Sequence, residues 1–401
     1  MKKTLLLKIT SLQQVIAFIL LLNFTFTSSS ATAQEGKNDE TFNTSDNVAS
    51  QGTNGNVLIS VIQPDNKIII SGYFTSYNGT TSNKIARLNT EGKIDKSFNA
   101  GSGTDGDIKT ITVQPNGKIL IGGNFLSYNG TLINRIARLN ENGSIDKTFK
   151  VGLGADNSIS KIMIQPDEKI VVAGAFTKYN NVPAKGLVRL NKNGTVDNTF
   201  NAKITDSLLT IHQIAVLSNG KIIISGSARN FFGDMRKYIE TIRLNKNGDR
   251  DYSFNECKQS FGDSYPFISS IAIENDGNVL LALTNQDFGS SFPYSCTILR
   301  IAANGAILTQ KNSFWINSMI IQADKKIIAL GFDNPEWGII KRRVVRMNKD
   351  FSIDSTFKLH DEKQYKDPYE CSVQSISRQI DGKLIVGGNF NEINGLIANN
   401  I

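Results

Sequence analysis

The chain has 401 residues, 44 Lys and Arg against 36 Asp and Glu, a net charge of +8, and only two histidines and three cysteines. That length suits one large closed repeat array or two domains. The basic residues are spread evenly rather than gathered in a stripe, which excludes a nucleic-acid binder, and Cys257, Cys296 and Cys371 are too few for a disulfide framework.

Residues 1–33 read as a signal peptide: a basic start "MKKTLLLK", an apolar run "VIAFILLLNF" and a small-x-small ending at Ala31-Thr32-Ala33. Cleavage before Gln34 removes Lys2, Lys3 and Lys8, lowering the net charge from +8 to +5. No later segment approaches the length of a transmembrane helix, so a secreted or cell-surface protein without a membrane span is expected.

From Gln34 onward the chain repeats itself. The phrase Asp-x-Thr/Ser-Phe recurs at Asp39–Phe42, Asp95–Phe98, Asp146–Phe149, Asp197–Phe200, Asp251–Phe254 and Asp354–Phe357, with a worn copy ending at Phe314. A last unit follows Phe357, giving units at about 44–98, 99–149, 150–200, 201–254, 255–314, 315–357 and 358–401 plus 35–43. In the second unit "DIKTITVQ" alternates as a half-buried strand does. "PNGK" is a tight hairpin turn and "KILIGGNF" a strand buried on both faces. After the loop "LSYNGTLIN", a third strand "RIARLN" and a fourth, "IDKTF", are joined by a second Asn-Gly turn. Four antiparallel strands in about 50 residues is the period of a propeller blade. The expectation is an all-β, seven-bladed β-propeller of four-stranded antiparallel blades spanning 34–401.

The ends of the chain fit ring closure. "EGKNDETFN" (35–43) matches "EGKIDKSFN" (91–99) with no strands before it, and the terminal "GGNFNEINGLIANNI" matches "GGNFLSYNGTLINRI" and stops. The N-terminal segment is therefore expected to supply the outermost strand of the last blade and remove an exposed edge. The counterpart of "ARLN" is lacking there: either that blade is imperfect or the sequence is cut short.

The pattern GGxFxxYNGxxxNxIARLNxxGxIDxxF resembles the delta-60 repeat family of bacterial exported β-propellers, strongly in units one to three and seven and weakly in five and six. The resemblance implies a secreted or cell-surface propeller and no particular activity. The Gly122-Gly123 and Gly387-Gly388 pairs are also similar to those of kelch repeats, where glycine lets backbones approach closely.

Arg87, Arg138, Arg189, Arg243, Arg300 and Arg346 recur, and eight residues after most of them stand Asp95, Asp146, Asp197, Asp251 and Asp354. Across a hairpin that offset brings the two side chains together, so they are expected to be structural braces. Leu308 replaces the Asp of the fifth unit, which suggests that the brace is dispensable there. Turns such as "NENGSID" loosely resemble calcium loops, but Asn and Lys replace the carboxylates, and neither a metal nor a cofactor is expected. His212 aligns with Lys109 near the start of a first strand, close to the axis. Of the cysteines, Cys257–Cys296 is the one pairing suggested by closeness in sequence.

Where the repeat breaks, in units four to six, the loops "ARNFFGDMRKY", "NQDFGSSFPY" and "FDNPEWGIIKRR" gather Phe231, Phe232, Tyr238, Phe288, Phe292, Tyr294 and Trp337 with Arg229, Arg236, Asp234 and Asp287. Aromatic residues on polar loops suit a binding surface. The first expectation is a binding module that recognises a glycan or cell-surface protein through this loop face, with no catalytic residues assigned. The second is a polysaccharide-active hydrolase or lyase using the central channel, which would need paired acids or a base near His212. The third is a structural cell-surface component.

Overall fold

The computed structural model describes residues 39, 42–43, 52–204, 208–229, 237–260, 265–286, 295–336, 339–357, 364–365, 372–393, 396–397 and 400–401. Every regular element in them is a β-strand, paired antiparallel, and the chain is a β-propeller built of repeats. Among the described residues no helix is long and apolar enough to cross a membrane. The signal segment lies outside them.

Each unit begins with an inner strand: Val57–Ile62, Ile108–Val113, Ile159–Ile164, Leu208–Val216, Tyr265–Ile273, Trp315–Ile321 and Val373–Arg378. A tight turn leads to a second strand, such as Ile119–Gly123, whose five residues are all buried because neighbouring sheets cover both faces. Gly117 takes φ 79° in the second unit's turn, the left-handed geometry expected of Asn-Gly. A third strand, Ile136–Leu139 in that unit, completes the hairpin pairs. The inner strands pack against one another in chain order, and Val373–Arg378 also packs beside Val57–Ile62. Apolar clusters fill each junction: Leu120 and Ile136 of the second unit pack with Ile159, Ile162 and Ile170 of the third.

The expected fourth strand is only partly present. In units one to three it shrinks to one bridge each, Leu88 to Ile94, Leu139 to Ile145 and Leu190 to Val196, leaving three-stranded sheets. The repeated Asp is the reason. Asp146 N–H donates to Arg138 O at 2.8 Å, and its carboxylate then accepts from Thr148 N at 3.0 Å, turning the chain out of the sheet. Units four to six do have four strands, with outer strands Cys257–Ser260, Ile307–Ser313 and Gln364–Tyr365. Their irregular loops lengthen the second and third strands, as in Ile222–Arg229 and Lys237–Leu244, and so give an outer strand something to pair with. The uniform loops of units one to three fold into small hairpins, and Tyr128 is buried with its hydroxyl donating to Gly143 O at 2.7 Å.

The Gly-Gly pair has two separate functions. A Cβ on Gly122 would meet Ile159 and Ile162 of the next unit at 2.8 Å, so this glycine sets how closely units stack. A Cβ on Gly123 would lie 1.9 Å from the carbonyl oxygen of Asp107, where the inner strand enters its own sheet. Gly123→Ala is therefore expected to destabilise by roughly 2–3 kcal/mol, read as a fall in melting temperature. An unchanged melting temperature would show that the strand can retreat, as it does in the fifth unit, where Leu283 pairs with Ile268 at this place.

Candidate functional site

The repeated arginine and aspartate form ion pairs. Arg Nε stands 2.9, 2.6, 2.7, 2.5 and 2.6 Å from the carboxylate in Arg87–Asp95, Arg138–Asp146, Arg189–Asp197, Arg243–Asp251 and Arg346–Asp354. The other parts of the repeated phrase serve the same cluster. Thr148 Oγ1 donates to Asp146 at 2.6 Å, and Phe149 lies under the Arg138 guanidinium, 4.6 Å from ring centre to Cζ. Arg138 Nη1 reaches into the next unit and donates to Lys192 O, a link repeated by Arg87 to Glu141 O and Arg243 to Ala303 O. Burial opposes ionisation of Asp146, but bonds from Lys118, Thr148 and Arg138 outweigh it and hold the carboxyl well below the usual range. These partners tie blade to blade and leave the cluster no free group for chemistry.

The fifth unit corrects the expectation that its brace is dispensable. Glu274, at the end of the inner strand, takes the place of the missing Asp, 3.1 Å from both Nε and Nη2 of Arg300. Asn278 donates to Glu274 at 3.2 Å, where other units carry a lysine such as Lys118 or Lys326. Leu308 is 55 % exposed on an outer strand that continues past it.

All seven inner strands carry a β-bulge at the same place, with the register slipping around Leu58, Lys109, Ser160, His212, Ser269, Asn317 and Gln374. A bulge re-aims the side chains around it. The seven strands contain no Asp or Glu; their charged residues are Lys109, Lys161 and Arg378. Lys109 and Arg378 are exposed, whereas Lys161 is half-buried. Burial pushes its amine below the ordinary value, and it has no hydrogen bond or ion pair among the described residues.

His212 is not a free base. Its Nδ1 accepts from Ile268 N of the next unit at 3.1 Å, which leaves the proton on Nε2 to donate to Ser227 Oγ at 2.8 Å. Burial lowers its pKa to about 4, so the ring is neutral at pH 7 and acts as a link between units.

Where the inner strands start, units five and six place Phe267 and Trp315 at positions that are Asn56, Asp107 and Ser158 in units one to three. Trp315 stacks on Phe332 with ring centres 5.0 Å apart and meets Phe267 at 5.5 Å; its indole N–H is shielded from solvent and has no hydrogen-bond partner among the described residues. Where the strands end, a groove of about 470 Å³ is shared by units seven, one and two, with Gln63, Gln114, Arg378 and Gln379 in its wall.

Of the loop aromatics expected to bind ligand, Phe231, Phe232, Phe288, Phe292, Tyr294 and Trp337 lie outside the described residues, as do Arg236, Asp234, Asp287 and Cys371, and so does the side chain of Arg229. Tyr238 is 6 % exposed, with the Lys258 amine 5.3 Å from its ring centre, so its face is not open to a sugar. Cys257 and Cys296 are separate buried thiols, which removes the expected bridge.

Five segments, residues 63–98, 114–149, 165–200, 217–254 and 379–401, match the family described as "Domain of unknown function (DUF5122) beta-propeller". These β-propeller segments fall on units one to four and the last and together cover less than half of the chain. No curated protein matches the chain in sequence. Among solved structures it is similar to a PL25 polysaccharide lyase, an ulvan lyase, at 11% identity and TM-score 0.52, over 87% of this chain and 94% of that one. It is also similar to the polysaccharide lyase Uly1 at 12% identity and TM-score 0.43, over 93% of both chains. A third is a GH74 xyloglucanase from Xanthomonas campestris, at 10% identity and TM-score 0.43, over 84% of this chain and 52% of that one. Of these three, the first shares the fold of this chain at a TM-score above 0.5. That neighbour is a polysaccharide lyase and not a binding module, and this corrects the first expectation.

Proposed function

We propose that the chain is an exported polysaccharide-active enzyme, of the lyase rather than the hydrolase kind, working in a passage enclosed by the inner strands of a seven-bladed ring. Closure of the ring is supported by contacts between its ends. Ser60 Oγ is 3.0 Å from Ser377 Oγ, Asn400 Nδ2 donates to Thr53 O at 2.9 Å, and Lys383 Nζ is 2.6 Å from Asp39. Asn43 N also bonds Glu91 O at 2.7 Å, as Asn99 N bonds Asn142 O one unit later at 2.8 Å. Export is supported by the signal pattern of residues 1–33.

The observation that carries the reaction class is the charge of the inner strands: three basic residues and no carboxylate. Glycoside hydrolysis ordinarily needs two carboxyl groups about 5–10 Å apart, and these strands have none. Elimination beside a uronate carboxylate needs different groups. A base takes the proton on the carbon next to the carboxylate, the electrons form a carbon–carbon double bond, and the glycosidic oxygen leaves and is protonated. A cation that holds the carboxylate makes that proton easier to remove. The fold shared with a polysaccharide lyase points the same way.

The test is to collect the exported protein, read its N-terminus, and incubate it with uronate-containing and neutral polysaccharides. The expected results are a start at Gln34 and acidic fragments that absorb in the ultraviolet through the new double bond. New reducing ends without that absorbance would mean hydrolysis, and no product from any polysaccharide would remove the enzyme reading.

A further inference from the structure

The repeat offers an internal control for each position along the inner strand. Directly after the bulge, the seven units carry Ile59, Thr110, Lys161, Gln213, Ser270, Ser318 and Ser375. The first packs into the apolar cluster of the next unit. Thr110 Oγ1 accepts from Ile162 N at 3.2 Å, and Ser270 Oγ accepts from Met319 N at 3.1 Å. Gln213 Nε2 donates to Ser269 O at 3.0 Å. In three of the seven units the side chain here bonds the next unit, while the buried Ser375 Oγ has no hydrogen-bond partner among the described residues.

Lys161 alone brings a charge to this position. It makes no side-chain bond among the described residues and stands among inner strands without a carboxylate. An ammonium held partly out of water with no counter-charge lowers stability. Residues that break a local rule without a structural gain are expected at functional sites.

We propose that Lys161 is an anion anchor, receiving the carboxylate or sulfate ester of an acidic saccharide in the passage. The proposal rests on the reading of that passage given above. The bound anion supplies the missing counter-charge, and Lys109 on the preceding inner strand and Arg378 at the end of the seventh are the other cations these strands carry, both exposed. The four-carbon stem of lysine lets the amine follow a sugar substituent, whereas the serines at equivalent positions stop at the wall.

The experiment is binding calorimetry at low salt on residues 34–401 and on Lys161→Met, Lys161→Gln and Lys161→Arg. The probes are an oligogalacturonate, a sulfated galactan oligosaccharide and an uncharged oligosaccharide of matched length. The Met and Gln variants are expected to lose about tenfold or more in affinity for the acidic probes, while Arg keeps most of it. The uncharged probe should bind all four proteins alike. Lys161→Met should also melt higher than the parent, which separates a lost anchor from a damaged fold. Loss confined to one acidic probe would identify the anion. The anchor is overturned if the Met and Gln variants bind both acidic probes within about twofold of the parent. Equal loss of the uncharged probe, or no binding of either acidic probe by the parent, also overturns it. Lys161-dependent binding without unsaturated product would leave the anchor and remove the lyase, and product formed at the parent rate by Lys161→Met would do the reverse.

Discussion

Asp146→Asn is expected to destabilise the protein by about 3–5 kcal/mol, a fall in melting temperature of about 5 °C for a chain of this length. Asp146 is 4 % exposed and Arg138 8 %, so the loss is not screened by solvent. The amide keeps the shape but removes the charge that Arg138 and Lys118 share, leaving a buried guanidinium against a neutral group. Arg138 also holds the next unit through Lys192 O, so disorder at one brace spreads to two blades. Glu274→Gln should cost as much, because Glu274 is the counter-ion of Arg300. Leu308→Asp should not rescue it, because that side chain points to solvent. Replacing Arg138 and Asp146 together by Met and Leu should do less harm than Asp146→Asn alone, since no charge is then left unpaired. Thermal melts of the four variants check the set; a small loss for Glu274→Gln would restore the view that the fifth brace is dispensable.

Acid should weaken the fold in two stages, and His212 accounts for the first. Its folded-state pKa is about 4, against about 6.5 for a free imidazole. The unfolded chain therefore takes up a proton first as pH falls. Stability is full above about 6.5 and declines down to about 4, by up to about 3 kcal/mol. The brace aspartates act in the opposite sense of charge. Their carboxyls are held below the usual range, so their contribution is intact above about 4 and is lost only in stronger acid. His212→Gln should flatten the upper stage and leave the lower one. Urea melts of both proteins at pH 7 and pH 4.5 would test this, and an identical decline in the variant would assign the upper stage to other groups.

The sequence reveals this architecture because a repeat multiplies weak signals. One Asn-Gly turn is a faint cue, but "PNGK" and "NENGS" returning at the same phase fix both hairpins. The Arg–Asp offset of eight was legible for the same reason. The fourth strand was misread because Asp-x-Thr-Phe has strand-like composition, while the Asp carboxylate folds it into a turn after one bridge. Glu274 was missed although a signal existed: it stands where other units have Gln63, Gln114 and Gln165, in the same unit where Asn278 replaces the lysine and Leu308 the aspartate. Three exchanges in one repeat mark a pair rebuilt elsewhere. Lys161 was hidden for a different reason. In "ISKIMI" it reads as the polar half of an alternating strand, and although the 51-residue period aligns it with Thr110, the bulge that re-aims the side chains here is invisible in the letters.

The contacts between the ends of the chain differ in kind from all the others. Within units and between neighbours, partners are separated by at most a few tens of residues, so each sheet can form as soon as its own stretch of chain is available. Lys383 and Asp39 are 344 residues apart, and Asn400 and Thr53 are 347 apart. Such a clasp can fasten only after everything between has found its place, although the entropy of closing so long a loop grows only slowly with length. In the ring proposed above, opening that seam leaves the intervening sheets with their partners, so this protein should come apart like a bracelet, by opening rather than by dissolving.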